Sequence, residues 1–180
     1  MESPISSLLE EELRCAIGED RFWKNRVNSL WSGERAIHLA ILSPPYLDFV
    51  LEGKKTVESR FSENQIAPYM AIQSDDIMLL KRPSGPIVGI CSVVDAWFYK
   101  LDPIVWKEIR SKYFDEIFVN DSIFWASRED ASYATLVRVG HPKRINPIPF
   151  PKTDRRAWVI LKARNQSSLL YFRRRTPNES

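Results

Sequence analysis

The stretch LEGKKTVESRF, residues 51–61, sets Lys54, Lys55 and Arg60 beside Glu52 and Glu58 where a helical pattern gives way to a strand pattern. Upstream, Pro45 opens the run YLDFVLEGKKT, in which Leu47, Val50 and Leu51 recur at helical spacing and Gly53 marks the end. From Thr56 the period changes to two. Val57, Ser59 and Phe61 then share one face of a strand, and Thr56, Glu58 and Arg60 share the other. The apolar pair selects the core for the first set, so Glu58 and Arg60 fall on a polar surface with Lys55 at the helix exit. As an exposed strand-edge ion pair these charges would contribute only about 0–1 kcal/mol. Gathered into a pocket, they would make a site.

The flanks supply the rest of a small domain. AIHLAIL (36–42) reads as a short apolar strand ended by Ser43-Pro44-Pro45. DIMLLKRP and GPIVGICSVVDAWFY read as two strands joined at Pro83-Ser84-Gly85-Pro86. DPIVWKEIRSKYF carries an Asp N-cap and a Pro at the first helical position, which predicts an inserted helix. YATLVRVGHPKRINPIPF and AWVILKAR supply closing strands, the first with a turn at Gly140-His141-Pro142. In front of all this, Ile5, Leu8, Leu9, Leu13, Ala16 and Ile17 line one face of a helix that starts at Ser3-Pro4 and breaks at Gly18. Phe22, Trp23, Arg26, Val27, Leu30 and Trp31 predict a second helix running to Gly33. Short strands with interspersed helices indicate a mixed α+β barrel.

With 180 residues, 44% of them hydrophobic, the chain can build one well-packed core. No apolar run approaches the roughly 18–20 residues of a membrane span, and the N-terminus is acidic where a signal peptide would be basic. A soluble, cytoplasmic protein with no membrane contact is expected. Cys15 and Cys91 lie in apolar settings without CxxC spacing and read as buried free thiols. The net charge of +3 is unevenly spread. Residues 1–140 hold 16 Lys+Arg against 21 Asp+Glu, and residues 141–180 hold 10 against 2. Such a local basic excess is what a polyanion would use, since each phosphate neutralised releases counterions.

Several chemistries lack their residues. Two histidines, His38 in the first strand and His141 in the turn, do not build a zinc site with these cysteines. Neither GxxxxGK[ST] nor GxGxxG occurs, and no GxSxG turn supports a Ser-His-Asp triad. No metal or cofactor is therefore expected. For a nuclease, Asp95, Asp102, Glu108 and Asp154 are available, with no spacing that favours any of them.

The order strand, Ser-Pro-Pro, helix and then Gly53-Lys54-Lys55-Thr56-Val57-Glu58-Ser59-Arg60 resembles the ASCH domains of the PUA-like superfamily, whose usual form is G-x-K-T-x-E-x-R. KTDRRAWVIL is similar to the closing segment of small bacterial ASCH proteins. The resemblance spans residues 36–162 and leaves 1–35 as a helical N-terminal extension and 163–180 as a basic tail. It implies a PUA-like pseudo-β-barrel whose cleft is floored by Lys55, Glu58 and Arg60 and takes RNA or a modified nucleobase. Some family members bind RNA, some are linked to RNA cleavage, and one branch hydrolyses the acetyl amide of acetylated cytidine with a lysine, a threonine three residues later and a glutamate. The lysine matches at Lys55, but Glu58 stands where that threonine would be. If Lys55 and Glu58 are catalytic, Glu58 would act as a general base on water while Lys55 or Arg60 stabilises developing negative charge.

Binding and hydrolysis both stay open at this point, the latter as a ribonuclease or a modified-nucleoside amidohydrolase. As ligand contacts the sequence offers Lys55, Thr56, Glu58 and Arg60, with Arg155 and Arg156 beside the last strand for phosphate and Trp97, Phe98 or Tyr99 for stacking. Arg173–Arg175, next to Leu169, Leu170, Tyr171 and Phe172, would add phosphate attraction. The alternative is a coactivator-like adaptor that binds a protein through Phe22, Trp23, Leu30 and Trp31 of residues 1–35.

Overall fold

The computed structural model describes residues 4–30, 32–152 and 155–165. Ser3, Trp31, Asp154 and the tail residues Leu169–Arg175 lie outside the described residues. Eleven elements follow one another among those described: α1 (Pro4–Ile17), α2 (Arg21–Val27), β1 (Ile37–Ile41), α3 (Tyr46–Leu51), β2 (Val57–Ser62), β3 (Ile77–Lys81), β4 (Ile87–Lys100), α4 (Pro103–Ile117), α5 (Ser122–Ala126), β5 (Tyr133–Ile148) and β6 (Trp158–Lys162). The strands form one six-stranded sheet in the order β2-β5-β4-β3-β1-β6. Only β1 and β3 pair in parallel. The result is a curled half-barrel with helices against it, as the α+β reading expects.

The curl has a local cause. β4 and β5 are long, and their ladder shifts register between Ile87 and Gly89, between Ile90 and Ser92, and between Val93 and Asp95. Each bulge adds bend and twist to the strand that carries it. The Gly-His-Pro stretch, read as a turn, is instead a kink inside β5: His141 adopts φ 50° and the strand carries on to Ile148. Gly140 is needed there, because a Cβ would stand 2.6 Å from the Val94 side chain. A break in strand geometry thus serves as a corner.

Apolar side chains fill three regions around this sheet. Leu9, Leu13, Ile17, Trp23, Val27 and Leu30 bring α1 and α2 onto Ile37, Leu39, Ile77 and Leu79. Leu47 and Val50 of α3 join Met78, Leu80, Cys91 and Trp158 in the middle. Ile109, Tyr113 and Ile117 of α4 and Trp125 of α5 cover Val57, Ala134 and Leu136. α4 starts where the sequence places it, with Asp102 accepting from the Ile104 and Val105 amides at 2.8 Å. The second helix ends sooner than its pattern suggests. Short i→i+3 bonds from Ser29 to Arg26 and from Leu30 to Val27 turn the chain after Val27.

Trp23 and Leu30 are buried, and Phe22 stacks on His141 with ring centroids 3.5 Å apart. Phe22, Trp23 and Leu30 are thus packed against the chain's own core. Cys15 departs from the expected burial: it lies exposed on the face of α1 opposite Leu13 and Ile17, whereas Cys91 is buried. Burial pushes the Cys91 thiol well up, and the neighbouring Glu58 carboxylate adds to that, which keeps it protonated. No helix among the described residues is long and apolar enough to cross a membrane.

Candidate functional site

β2 and β6 are the two edges of the curled sheet, and the curl brings them toward each other. A cleft of about 700 Å³ opens at this seam, between β2, the ends of β1 and β3 and the segment leading into β6. The chain enters it at Gly53, whose φ of +74° ends α3, and the Lys54 and Lys55 amides both cap back onto the Phe49 carbonyl. That turn drives the Lys55 side chain inward. Its Nζ donates to the Ile117 carbonyl at 2.8 Å and lies 3.5 Å from Glu58 Oε2. At 2% exposure it is the most deeply placed cation of the cleft. Burial pulls the Lys55 amine below its usual range, and the Glu58 carboxylate opposes that pull.

Glu58 and Arg60 follow on β2, pointing away from Val57 as the strand alternation requires. Arg60 Nη2 donates to the Ile41 carbonyl at 3.0 Å, so the guanidinium crosses the seam to the end of β1. Its Nε stands 2.9 Å from Glu58 Oε1 as a charge contact, but the N–H is not aligned with that oxygen and makes no hydrogen bond. Ser59 also lines the cleft, and its Oγ is buried without a partner. Two cations around one carboxylate leave this floor one positive charge in excess.

The walls add to that excess. Lys81 from the end of β3, Arg128 after α5, and Lys152, Arg155 and Arg156 before β6 all line the cleft. Among the described lining residues seven are cationic and one, Glu58, is anionic. Tyr46, Phe61 and Phe124 form an aromatic side, with the Tyr46–Phe124 and Phe61–Phe124 centroids 6.0 and 6.4 Å apart. Arg128 lies over the Phe124 ring at 3.7 Å and donates to the Phe124 carbonyl.

Lys55, Glu58, Arg60, Arg155 and Arg156 thus meet in one place, the last two exposed at the rim. Thr56 stands outside it, its backbone paired with Glu116 and Val139. Trp97, Phe98 and Tyr99 are also elsewhere: Trp97 packs on Tyr113, Phe98 on Tyr69, and Tyr99 hydrogen-bonds the Tyr113 hydroxyl. Asp95, Asp102 and Glu108 do not line the cleft. Among the described residues no group of His, Cys, Asp and Glu could hold a metal ion.

Sequence reasoning missed Tyr46, Ser59, Lys81, Phe124, Arg128 and Lys152. For α5 the cue was present in Asp121-Ser122, since Asp121 caps the Ile123 amide at 2.8 Å. Lys81, just before the Pro83-Ser84-Gly85-Pro86 turn, is buried, and its Nζ donates to the Arg82 and Gly85 carbonyls.

Solved structures share this arrangement of chain. The ASCH protein of Zymomonas mobilis superposes with a TM-score of 0.56 over 79% of this chain and 96% of its own, at 15% identity. A point variant of that protein gives a TM-score of 0.57 over 78% and 96%, at 16% identity. The chain has the ASCH fold. At this identity the likeness is one of fold. No protein-family model matches the sequence, and no curated protein matches it either.

Proposed function

We propose that this protein binds RNA, taking a nucleotide with a plain or modified base into the cleft between β2 and β6. The observation that carries the reading is charge: among the described residues, seven cations stand against one carboxylate around a single concave site. Neutral ligands do not need such a field, whereas phosphates do. The polar floor and aromatic wall suit a base. Glu58 can accept from an exocyclic amine, Arg60 and Ser59 can donate to ring or carbonyl acceptors, and Phe61 or Phe124 offers a stacking surface worth about 1–3 kcal/mol per base. Lys152, Arg155 and Arg156 at the rim then meet the backbone. The sequence resemblance to RNA-binding ASCH proteins supports the same class of ligand. The reading is one of binding; among the described residues that line the cleft, Glu58 is the one carboxylate, where a metal-dependent nuclease site would need several.

The test is fluorescence anisotropy of labelled single-stranded RNA and of a folded tRNA across a salt series. The affinity should fall linearly on a log–log plot, and Arg128→Gln should lower the slope by roughly one unit. Arg60→Ala should weaken binding by about tenfold, as the loss of a base-edge contact does. Absence of binding at low salt, or binding indifferent to both changes, overturns the proposal.

A further inference from the structure

A guanidinium on a flexible stem holds one geometry only if its surroundings fix it. Two groups that hold Arg60 have been described, Glu58 and the Ile41 carbonyl. The third is the face of Trp158, with the guanidinium carbon 5.1 Å from the ring centroid, inside the roughly 6 Å range in which an aromatic quadrupole attracts a cation. Trp158 is buried on β6 and is itself held: its Nε1 donates to His38 Nδ1 at 3.1 Å.

An indole nitrogen can only donate. His38 Nδ1 is therefore the bare, accepting nitrogen, and the imidazole proton sits on Nε2, 3.3 Å from Asp76 Oδ2. Asp76 is fixed in turn by the amides of Ala36 and Gln73, both at 2.8 Å, and by Arg164 Nε at 2.9 Å. The carboxylate sets the imidazole tautomer, the tautomer sets the indole, and the indole supplies the surface on which Arg60 lies. His38 has no exposed surface and is not among the residues that line the cleft.

We infer that His38 is a positioning residue for the cleft, orienting Trp158 and through it Arg60. Its functional meaning rests on the RNA-binding reading, but the chain of contacts belongs to the free protein and is tested there first. Two replacements separate the imidazole nitrogens. Asparagine places an oxygen near Nδ1 and can still accept from Trp158; glutamine reaches toward Asp76 and leaves the indole N–H without an acceptor.

In ¹H–¹⁵N NMR of the free protein, His38→Gln should shift both the Trp158 indole N–H and the Arg60 Nε–H. His38→Asn should bring both back toward their original positions. RNA affinity should fall about three- to tenfold in His38→Gln, and by no further factor once Arg60→Ala is present, as expected for residues that act through one another. Trp158→Phe asks the same question if His38→Gln does not fold, since it removes the N–H and narrows the platform: the Arg60 resonance should move, and affinity should fall only when Arg60 is present. An unmoved Arg60 resonance overturns the inference, and so does an affinity loss that persists in the Arg60→Ala background. If the resonances move as expected while RNA affinity ignores both Arg60→Ala and Arg128→Gln, the positioning stands and the RNA-binding reading falls.

Discussion

Asp76 and Glu58 are both buried carboxylates facing an arginine, and their surroundings differ in kind. Asp76 accepts from two backbone amides, His38 and Arg164, and Arg164 also donates to the Glu34 and Ser74 carbonyls. Both Asp76 oxygens and all three Arg164 nitrogens find partners there. Glu58 faces two cations, of which Arg60 turns its Nε–H off line, while the adjacent Ser59 hydroxyl has no partner. One cluster is complete and holds loops and strands together. The other is left short of acceptors and opens onto a cleft. An ion pair in a core is therefore scaffold or site according to whether its hydrogen bonds close.

The sharpest test of that contrast is the pair of isosteric amides Asp76→Asn and Glu58→Gln. In Asp76→Asn an amide N–H₂ must face a donor, and the Arg164 guanidinium loses its counter-charge inside the fold, a loss of about 3–5 kcal/mol. Glu58→Gln sits at the wall of an open cleft, and its cost should stay near 1–3 kcal/mol. Chemical denaturation of the two variants measures both. Equal losses would make the two carboxylates the same kind of object and break the comparison.

A smaller effect separates them through pH. Burial holds the folded Lys55 amine below the ordinary lysine value of 10.5. Between that lowered value and 10.5 the unfolded chain binds more protons than the folded one, so stability rises with pH across this window. The gain is absent below the folded value and complete above 10.5. Denaturation of the unmodified chain against Lys55→Met over alkaline pH should show the unmodified protein gaining relative to the variant. A flat difference would mean that Glu58 fully compensates the buried amine, and the floor would then carry no strain for a ligand to relieve.

How much of this could be read in advance follows from which interactions are local. The end of α3 at Gly53, the alternation along β2 and the convergence of Lys55, Glu58 and Arg60 depend on neighbours within a few residues, and they are legible as helical period, glycine and strand period. The aromatic wall is not. Phe124 and Arg128 reach the cleft because α5 folds over Phe61, a contact across some sixty residues that no local pattern encodes. Trp97 and Tyr99, offered for stacking, are drawn away from the cleft for the same reason, since Tyr113 of α4 packs on them. Arg164, assigned by position to a basic tail, is tied to Asp76 by charge complementarity across the sheet. The Gly-His-Pro stretch misleads in another way: its residues do break strand geometry, but the flanking ladder is long enough to continue past the break.

The smallest expected effect has the opposite sign from the others. Ser59 lines the cleft, and its Oγ is buried and unpartnered. A hydroxyl in that state loses its hydration without gaining a bond, so Ser59→Ala should leave stability unchanged or raise it by up to about 1 kcal/mol. RNA affinity should fall in the same variant, because the oxygen acquires its partner only when a base fills the cleft. Thermal unfolding with and without RNA reads both terms on one sample. A variant less stable in both states would place a hydrogen-bond partner on Ser59 in the free protein, and the floor would then resemble the closed cluster around Asp76. A rise without RNA together with a smaller RNA-induced shift would identify the unsatisfied hydroxyl as binding capacity held in reserve by the fold.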